Sequence, residues 1–165
     1  MIATRTYLEM TSPGALRPRR GTDDGVEISH CPDCSIELFR SLYADVGREY
    51  RWVDRLAWTD DEVRGYLADP AVTMWLLRVS GTLAGYFELR RDADGGVEIA
   101  YFGLLPGFTG RRLGAHLLTE AVERAWSMGA QRVWLHTCTF DHPAALPNYI
   151  KRGFTVFKTE QYAVA

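Results

Sequence analysis

The sequence lacks the features that mark a membrane protein or a polyanion binder. None of its apolar runs approaches the roughly 20 residues of a membrane-spanning helix, and the start, MIATRTYLEM, has no apolar core of signal-peptide length. Basic residues number 19 against 21 acidic ones, a net charge of −2, without a dense lysine and arginine cluster. We therefore expect a cytoplasmic protein that binds neither nucleic acid nor membrane.

Cysteine is scarce, and its odd count of 3 fits a reducing compartment better than a disulfide framework. Two cysteines lie in CPDC, from Cys31 to Cys34, directly after His30. A structural zinc ion needs about four nitrogen or sulfur ligands, and the third cysteine, Cys138, is distant in the chain. We favour the alternative that Pro32 lies in the first turn of a helix here, and we expect no metal.

Apolar spacing predicts two helices in the first half of the chain. In SIELFRSLYADVG apolar residues recur at helical spacing, with Asp33 or Ser35 as the N-cap and Gly47 at the end. WTDDEVRGYLADP predicts a shorter helix that Thr59 or Asp60 caps. Before both, TRTYLEM alternates as a strand does, and TSPGALRPRRGTDDG is rich in turn residues and predicts a loop.

The second half alternates strands and helices. VTMWLLRV, TLAGYFELRR and VEIAYFGLL are separated by SG and DADGG, which predicts an antiparallel meander. An amphipathic helix then begins at about Arg111 or Arg112 and ends at Gly129. A strand in QRVWLHTCTF, a proline-interrupted helix in DHPAALPNYIKRG and a strand in FTVFKTEQYAV complete the chain. With 47% hydrophobic residues, we expect one mixed α/β domain over residues 1–165.

The stretch PGFTGRRLGAHLL places glycines and arginines directly before that amphipathic helix. Unpaired N–H groups and the positive end of the helix dipole would meet there, which favours an anion. Gly110 and Gly114 allow a phosphate to approach the backbone, and Arg111 and Arg112 add charge. The alternative is a capped helix with a solvated arginine pair. The stretch is neither a Walker loop nor a GxGxxG motif.

VEIAYFGLLPGFTGRRLGAHLL, followed by HPAALPNYIKRGF, resembles the GCN5-related N-acetyltransferase (GNAT) superfamily, whose members bind acetyl-coenzyme A. The resemblance runs from about Val72 to the end of the chain. It implies a mixed, mostly antiparallel central sheet flanked by helices and splayed between the fourth and fifth strands. The pyrophosphate loop of the superfamily reads Gln/Arg-x-x-Gly-x-Gly/Ala, and the matching positions hold Thr109, Arg112 and Gly114, so that two of them depart from the pattern.

The resemblance also implies where acetyl-coenzyme A binds. Its pantetheine arm would pair with the fourth predicted strand, where Gly103 permits a local bulge. His142 stands where the superfamily usually has an asparagine, and it can donate a hydrogen bond in the same way. The implied cofactor-binding residues are Phe102, Gly103, Leu104, Thr109, Gly110, Arg111, Arg112, Leu113, Gly114 and His142.

Acetyl transfer to an amine requires a base for the amine and an acid for the leaving thiolate. The resemblance assigns the base to Glu98, often acting through water, and the acid to Tyr149. The alternatives are a solvent-facing strand carboxylate and a packed aromatic ring. His136 is the alternative base, because imidazole titrates near neutral pH.

The acceptor is an amine of unidentified structure. In the superfamily the early helices and their loop surround the acceptor, which here gives GREYRWVDRLAWTDDE. Trp52 and Trp58 are candidate pocket residues, and Asp54 or Asp60 would attract a cationic amine. We expect an N-acetyltransferase acting on a small-molecule or protein amine, with a homodimer as a possible assembly. The alternatives are an acyl-CoA sensor without catalysis and a transferase that uses a longer acyl-CoA.

Overall fold

The computed structural model describes residues 1–21 and 24–164. In these residues seven strands form one sheet, and four α-helices pack on its two faces. The strands are β1 (Ile2–Met10), β2 (Val26–His30), β3 (Val72–Val79), β4 (Thr82–Arg91), β5 (Gly96–Leu104), β6 (Arg132–Cys138) and β7 (Thr155–Ala163). The helices are α1 (Ile36–Gly47), α2 (Asp60–Ala68), α3 (Leu113–Ser127) and α4 (Ala145–Lys151). None of these helices is long and apolar enough to cross a membrane.

The sheet has the order β2-β3-β4-β5-β6-β1-β7, and only the β5–β6 pair is parallel. The expected meander is present as β3, β4 and β5. Its first turn places Ser80 at φ 50° and Gly81 at φ 83°, as a tight hairpin turn requires. The mixed, mostly antiparallel sheet predicted from the sequence is therefore confirmed.

Strand β2 and the position of β1 were not predicted. Strand β2 lies at one edge of the sheet, antiparallel to β3. Its five residues directly follow a stretch rich in turn residues, and a strand this short gives too weak a pattern to be recognised there. Strand β1 lies between β6 and β7 and pairs with both. These pairings join distant parts of the chain, and no local pattern encodes such partners.

The helix boundaries follow the predicted capping residues with two corrections. Ser35 caps α1 by accepting a hydrogen bond from the backbone N–H of Leu38 at 3.0 Å. Pro32 lies in a turn before the helix rather than in its first turn. Thr59 and Glu62 form a capping box on α2. In α4, Pro147 occupies the first turn and does not interrupt the helix, because N–H groups there have no partner within the helix.

Two apolar layers hold the helices to the sheet. Helices α3 and α4 pack on one face, around residues such as Leu117, Val122 and Phe154. On the opposite face, α1 and α2 contribute Phe39 and Val63 to a smaller cluster. The site described below lies where the sheet between these two layers opens.

A buried ion pair fastens the loop between α1 and α2 to the sheet. Arg55, 7% exposed, donates two hydrogen bonds of 2.7 and 2.8 Å to the carboxylate of Glu88 on β4, which is fully buried. The hydroxyl of Tyr66 also donates to Glu88. Burial alone would lower the pKa of Arg55, but the hydrogen bonds and charge of Glu88 raise it above the ordinary value. The rings around the guanidinium belong to Phe39, Trp58, Tyr66 and Tyr101.

Glu88→Gln should therefore lower the free energy of unfolding by about 3–5 kcal/mol, because the Arg55 guanidinium would stay buried without a counter-charge. Asp61→Asn is the matched control, since it removes the carboxylate of an exposed pair with Arg64 and should cost less than about 1 kcal/mol. Urea unfolding of both variants measures the two values. Equal, small losses would show that the ion pair does not hold this loop.

Candidate active site

The sheet parts between β5 and β6, as the resemblance implies for the fourth and fifth predicted strands. The two strands pair only at Gly96↔Arg132, Val97↔Val133 and Glu98↔Trp134. Beyond these positions β5 continues beside β4, and β6 continues beside β1. The backbone edge of β5 that faces the opening is therefore without a neighbouring strand.

A β-bulge at Ala100 lies where the two strands separate. Leu89 of β4 pairs with Ile99 and Glu88 pairs with Tyr101, so that Ala100 is the extra residue. A bulge bends its strand and increases the local twist, which turns β5 away from β6. The bulge expected at Gly103 is thus three residues earlier.

Gly103 has a different role, which is to let helix α1 approach the sheet. A Cβ atom at this position would lie 2.4 Å from Cγ1 of Val46 in α1. A side chain there would require Val46 or the helix to shift. The absence of a side chain at Gly103 therefore permits the close approach of α1 to β5.

The opening between the strands continues into a cavity of about 1180 Å³. Its walls come from β5, β6, the loop after α1, the segment before α3, and helix α4. Of the twelve residues that the resemblance assigns to cofactor binding or catalysis, nine line it, namely Phe102, Gly103, Leu104, Thr109, Gly110, Arg112, Gly114, His142 and Tyr149. Glu98, Arg111 and Leu113 are not among the lining residues.

Two residues directly before α3 have left-handed backbone conformations. Gly110 has φ 77° and Arg112 has φ 62°. Such left-handed residues let successive N–H groups converge on one point beside the helix N-terminus. Arg112 stands where the superfamily pattern has glycine, and a left-handed arginine costs about 1–2 kcal/mol. Helix α3 begins only at Leu113, one or two residues later than predicted.

The two arginines of this segment have different environments. The guanidinium of Arg111 lies 5.3 Å from the ring centre of Phe108, whereas Arg112 lines the cavity. Leu113 is buried in the core under the sheet. Arg111 therefore does not line the cavity, and its contribution of charge to an anion site stays a prediction.

His142 lies at the cavity wall beside the start of α4. Its Nδ1 accepts a hydrogen bond from the backbone N–H of Ala144 at 3.0 Å. The neutral ring therefore carries its proton on Nε2 and can donate from that atom. This agrees with the donor role that the resemblance implies for His142.

Tyr149 is both a packed ring and a cavity residue. It is 7% exposed and its ring lies against Phe102 and Phe154, with centroids 6.2 and 6.3 Å away. Burial raises the pKa of Tyr149 well above its ordinary value, and Asp141 adds to the shift. The phenol is therefore protonated at neutral pH, as a proton donor must be.

Glu98 is buried behind the cavity rather than exposed to solvent. Its Oε1 lies 2.5 Å from Nη2 of Arg90, and 5% of its side chain is exposed. Burial raises the pKa of Glu98, and the charge and hydrogen bond of Arg90 oppose the shift. The interpretation of Glu98 as a solvent-facing carboxylate is wrong.

His136 lies between Glu98 and the cavity. It lines the cavity, and its Nε2 is 3.9 Å from Oε2 of Glu98. Desolvation and the positive charge of Arg5 hold the pKa of His136 below its ordinary value of 6.5. The imidazole is consequently neutral at pH 7 and can accept a proton.

The loop after α1 supplies half of the residues expected around the acceptor. Trp52 and Asp54 line the cavity. Trp58 packs instead against Phe39 and Tyr66, and Asp60 pairs with Arg40 at 2.7 Å. The assignments of Trp58 and Asp60 to the pocket are therefore wrong.

Several basic and amide side chains that line the cavity were not predicted from the sequence. Arg19, Asn148, Lys151 and Arg152 all line it. The sequence signals were RPRR in the predicted N-terminal loop and NYIKR near the end of the chain. Each is a short basic cluster, and only the tertiary structure brings the two together.

The sheet parts between β5 and β6, and left-handed residues lie directly before α3. The chain belongs to the acetyltransferase (GNAT) family, whose model matches residues 37–154. Uncharacterized N-acetyltransferases of Mycobacterium tuberculosis and Mycobacterium bovis are 34% identical over 97 residues. The match spans 59% of this chain and 62% of each relative.

Solved structures share the fold. A GCN5-related N-acetyltransferase from Kribbella flavida is 23% identical, with a TM-score of 0.68 over 94% of this chain and 55% of its own. One from Sphaerobacter thermophilus is 16% identical, with a TM-score of 0.69 over 96% and 50%. A Bacillus subtilis acetyltransferase solved in complex with CoA is 21% identical, with a TM-score of 0.60 over 79% and 76%.

Proposed function

We propose that the protein transfers an acetyl group from acetyl-coenzyme A to the primary amine of a small molecule or a protein. The observation that carries this proposal is one continuous cavity between the anion-binding segment before α3 and the aromatic loop after α1. The thioester would lie between these ends, at the opening of the sheet. Family membership and the CoA complex of a structural neighbour support the choice of donor.

In this proposal the free edge of β5 binds the pantetheine arm. Amide groups of the arm can form hydrogen bonds with unpaired N–H and C=O groups as an added strand would. The pyrophosphate lies at the N–H groups around Gly110 and Arg112, where the helix dipole favours negative charge. The arm then enters the opening beside Phe102 and points the thioester towards Tyr149 and His136.

The reaction needs two proton transfers. The amine nitrogen attacks the thioester carbonyl, a C–N bond forms, and the C–S bond breaks. His136 accepts the proton that the amine loses, and Glu98 stabilises the imidazolium that results. Tyr149 donates a proton to the departing thiolate of coenzyme A. Glu98 acting as the base itself, through a water molecule, is the competing assignment.

Binding without catalysis is the second candidate function. The observation in its favour is that Glu98 is held by Arg90 and does not line the cavity. A thiol-release assay with pools of primary amines separates the candidates. Acetyl-coenzyme A should release thiol with at least one pool and faster than longer acyl donors do. Binding of coenzyme A without thiol release from any donor would instead favour a sensor. Faster thiol release from a longer acyl donor would show that the donor is a longer acyl-CoA.

Gly114 offers a matched pair of variants for the cofactor. A Cβ atom there would be 3.8 Å from Nδ2 of Asn148, an ordinary contact, so Gly114→Ala should keep the rise in melting temperature that coenzyme A causes. Gly114→Glu places bulk and negative charge beside the phosphates and should abolish that rise. Thermal unfolding with and without coenzyme A measures both. An undiminished rise in a folded Gly114→Glu variant would place the cofactor elsewhere.

Tyr149→Phe should lower kcat by about 100-fold or more, because general acid catalysis is lost, while the affinity for coenzyme A changes little. The phenyl ring keeps the contacts with Phe102 and Phe154, so the melting temperature serves as the control for folding. A kcat within about twofold of the parent would remove Tyr149 from the mechanism.

The pH dependence of kcat/KM separates His136 from Glu98. Because the pKa of His136 lies below 6.5, activity should rise with pH through an apparent pKa below that value as the imidazole loses its proton. His136→Gln should remove this limb of the profile. Glu98→Gln should keep it and move it to lower pH, because a nearby negative charge is lost. If Glu98→Gln instead removed this limb and His136→Gln kept it, Glu98 would be the base.

A further inference from the structure

One end of the cavity carries two arginines that lack a carboxylate partner. Arg19 and Arg152 both line the cavity, and neither forms an ion pair within the described residues. Arg152 is 7% exposed, and its Nε has no hydrogen-bond partner there. A buried cationic group is costly unless it is paired. Arg19 is exposed, and Arg152 offers its unpaired guanidinium to an anion in the cavity.

The backbone holds this pair in place. The N–H of Arg17 donates to the carbonyl oxygen of Arg152 at 2.8 Å. The N–H of Arg19 donates to Oγ1 of Thr119 at 3.0 Å, and the hydroxyl of Thr119 donates back to the carbonyl oxygen of Arg19 at 3.2 Å. The segment from Arg17 to Arg19 is thus fixed between α4 and α3.

The close approach of the N-terminal segment also depends on Gly153. A Cβ atom at this glycine would lie 2.0 Å from the carbonyl oxygen of Ala15, and Gly153 has φ 109°. Glycine is suited to this position on both grounds. The NYIKRG sequence thus supplies Arg152. The glycine that follows it lets the N-terminal segment, which carries Arg19, pack closely against this part of the chain.

The two guanidinium groups repel each other. Burial lowers the pKa of Arg152, and the positive charge of Arg19 lowers it further. A bound dianion would offset both effects, since guanidinium groups form short, charge-assisted hydrogen bonds with phosphate. Lys151 also lines the cavity and adds a third cation.

This cluster is separate from the anion site before α3. Thr119, which anchors Arg19, follows the first residue of α3 by six positions, or about 9 Å along the helix axis. Coenzyme A carries a pyrophosphate and, on its ribose, a separate 3′-phosphate monoester. We propose that Arg19 and Arg152 bind this 3′-phosphate, an inference that rests on the proposed function and assigns a second anion site to the same cofactor.

The test compares the dissociation constants of coenzyme A and 3′-dephospho-coenzyme A by calorimetry. The parent should bind coenzyme A about tenfold or more tightly than the dephospho form, since hydrogen bonds to a charged group are lost. Arg19→Gln should weaken coenzyme A alone and bring the two constants together. Arg20→Gln should leave their ratio unchanged, because Arg20 pairs with Glu123 and does not line the cavity.

Arg152→Gln should likewise weaken the binding of coenzyme A alone. If this buried substitution impairs folding, the result for Arg19→Gln is the test. Equal binding of both ligands by the parent would overturn this inference alone. So would an equal loss of affinity for both ligands in Arg19→Gln. Failure of the parent to bind either ligand would overturn the proposed function and this inference together.

Discussion

The separation of β5 from β6 is the constraint on which the rest of this structure depends. Three paired positions hold the two strands together, and the bulge at Ala100 then bends β5 away. That one irregularity exposes a strand edge, opens the sheet between its two apolar layers, and brings Tyr149 and His136 to the same space. A regular ladder along both strands would close the cavity. The energetic cost of unpaired backbone groups is therefore concentrated where a ligand with amide groups can pair with them.

Most of the charged side chains that line the cavity are basic. Arg112 at the start of α3, together with Arg19 and Arg152, lines the cavity, and none of the three has an acidic partner among the described residues. Asp54 lies in the aromatic loop that the buried pair of Arg55 and Glu88 fastens to the sheet, and Arg48 and Arg51 of the same loop also line the cavity. The positive charge of the wall would attract a polyanionic donor, whereas the aromatic loop carries charges of both signs.

Local patterns in the sequence predicted the four α-helices and every strand except β2, but not all of the strands' partners. Helical periodicity and capping residues fixed α1 and α2 closely, because both signals act within a few residues. The role of Gly103 could not be read from the sequence, since it depends on Val46 in a distant helix. The position of Glu98 behind His136 depends in the same way on the register of β5 and β6. Arg19 was missed because its position requires the contact of the N-terminal segment with Thr119.

Hydrogen exchange measured at single-residue resolution, with and without coenzyme A, tests most directly whether the open edge of β5 is the binding surface. The account predicts that the amides of Ala100–Leu104 that face the opening become protected when coenzyme A binds. The amides of β4 that already pair with β3 or β5 should change little. Saturating coenzyme A that leaves the exchange of the β5 edge unchanged, while protecting another part of the chain, would contradict the account.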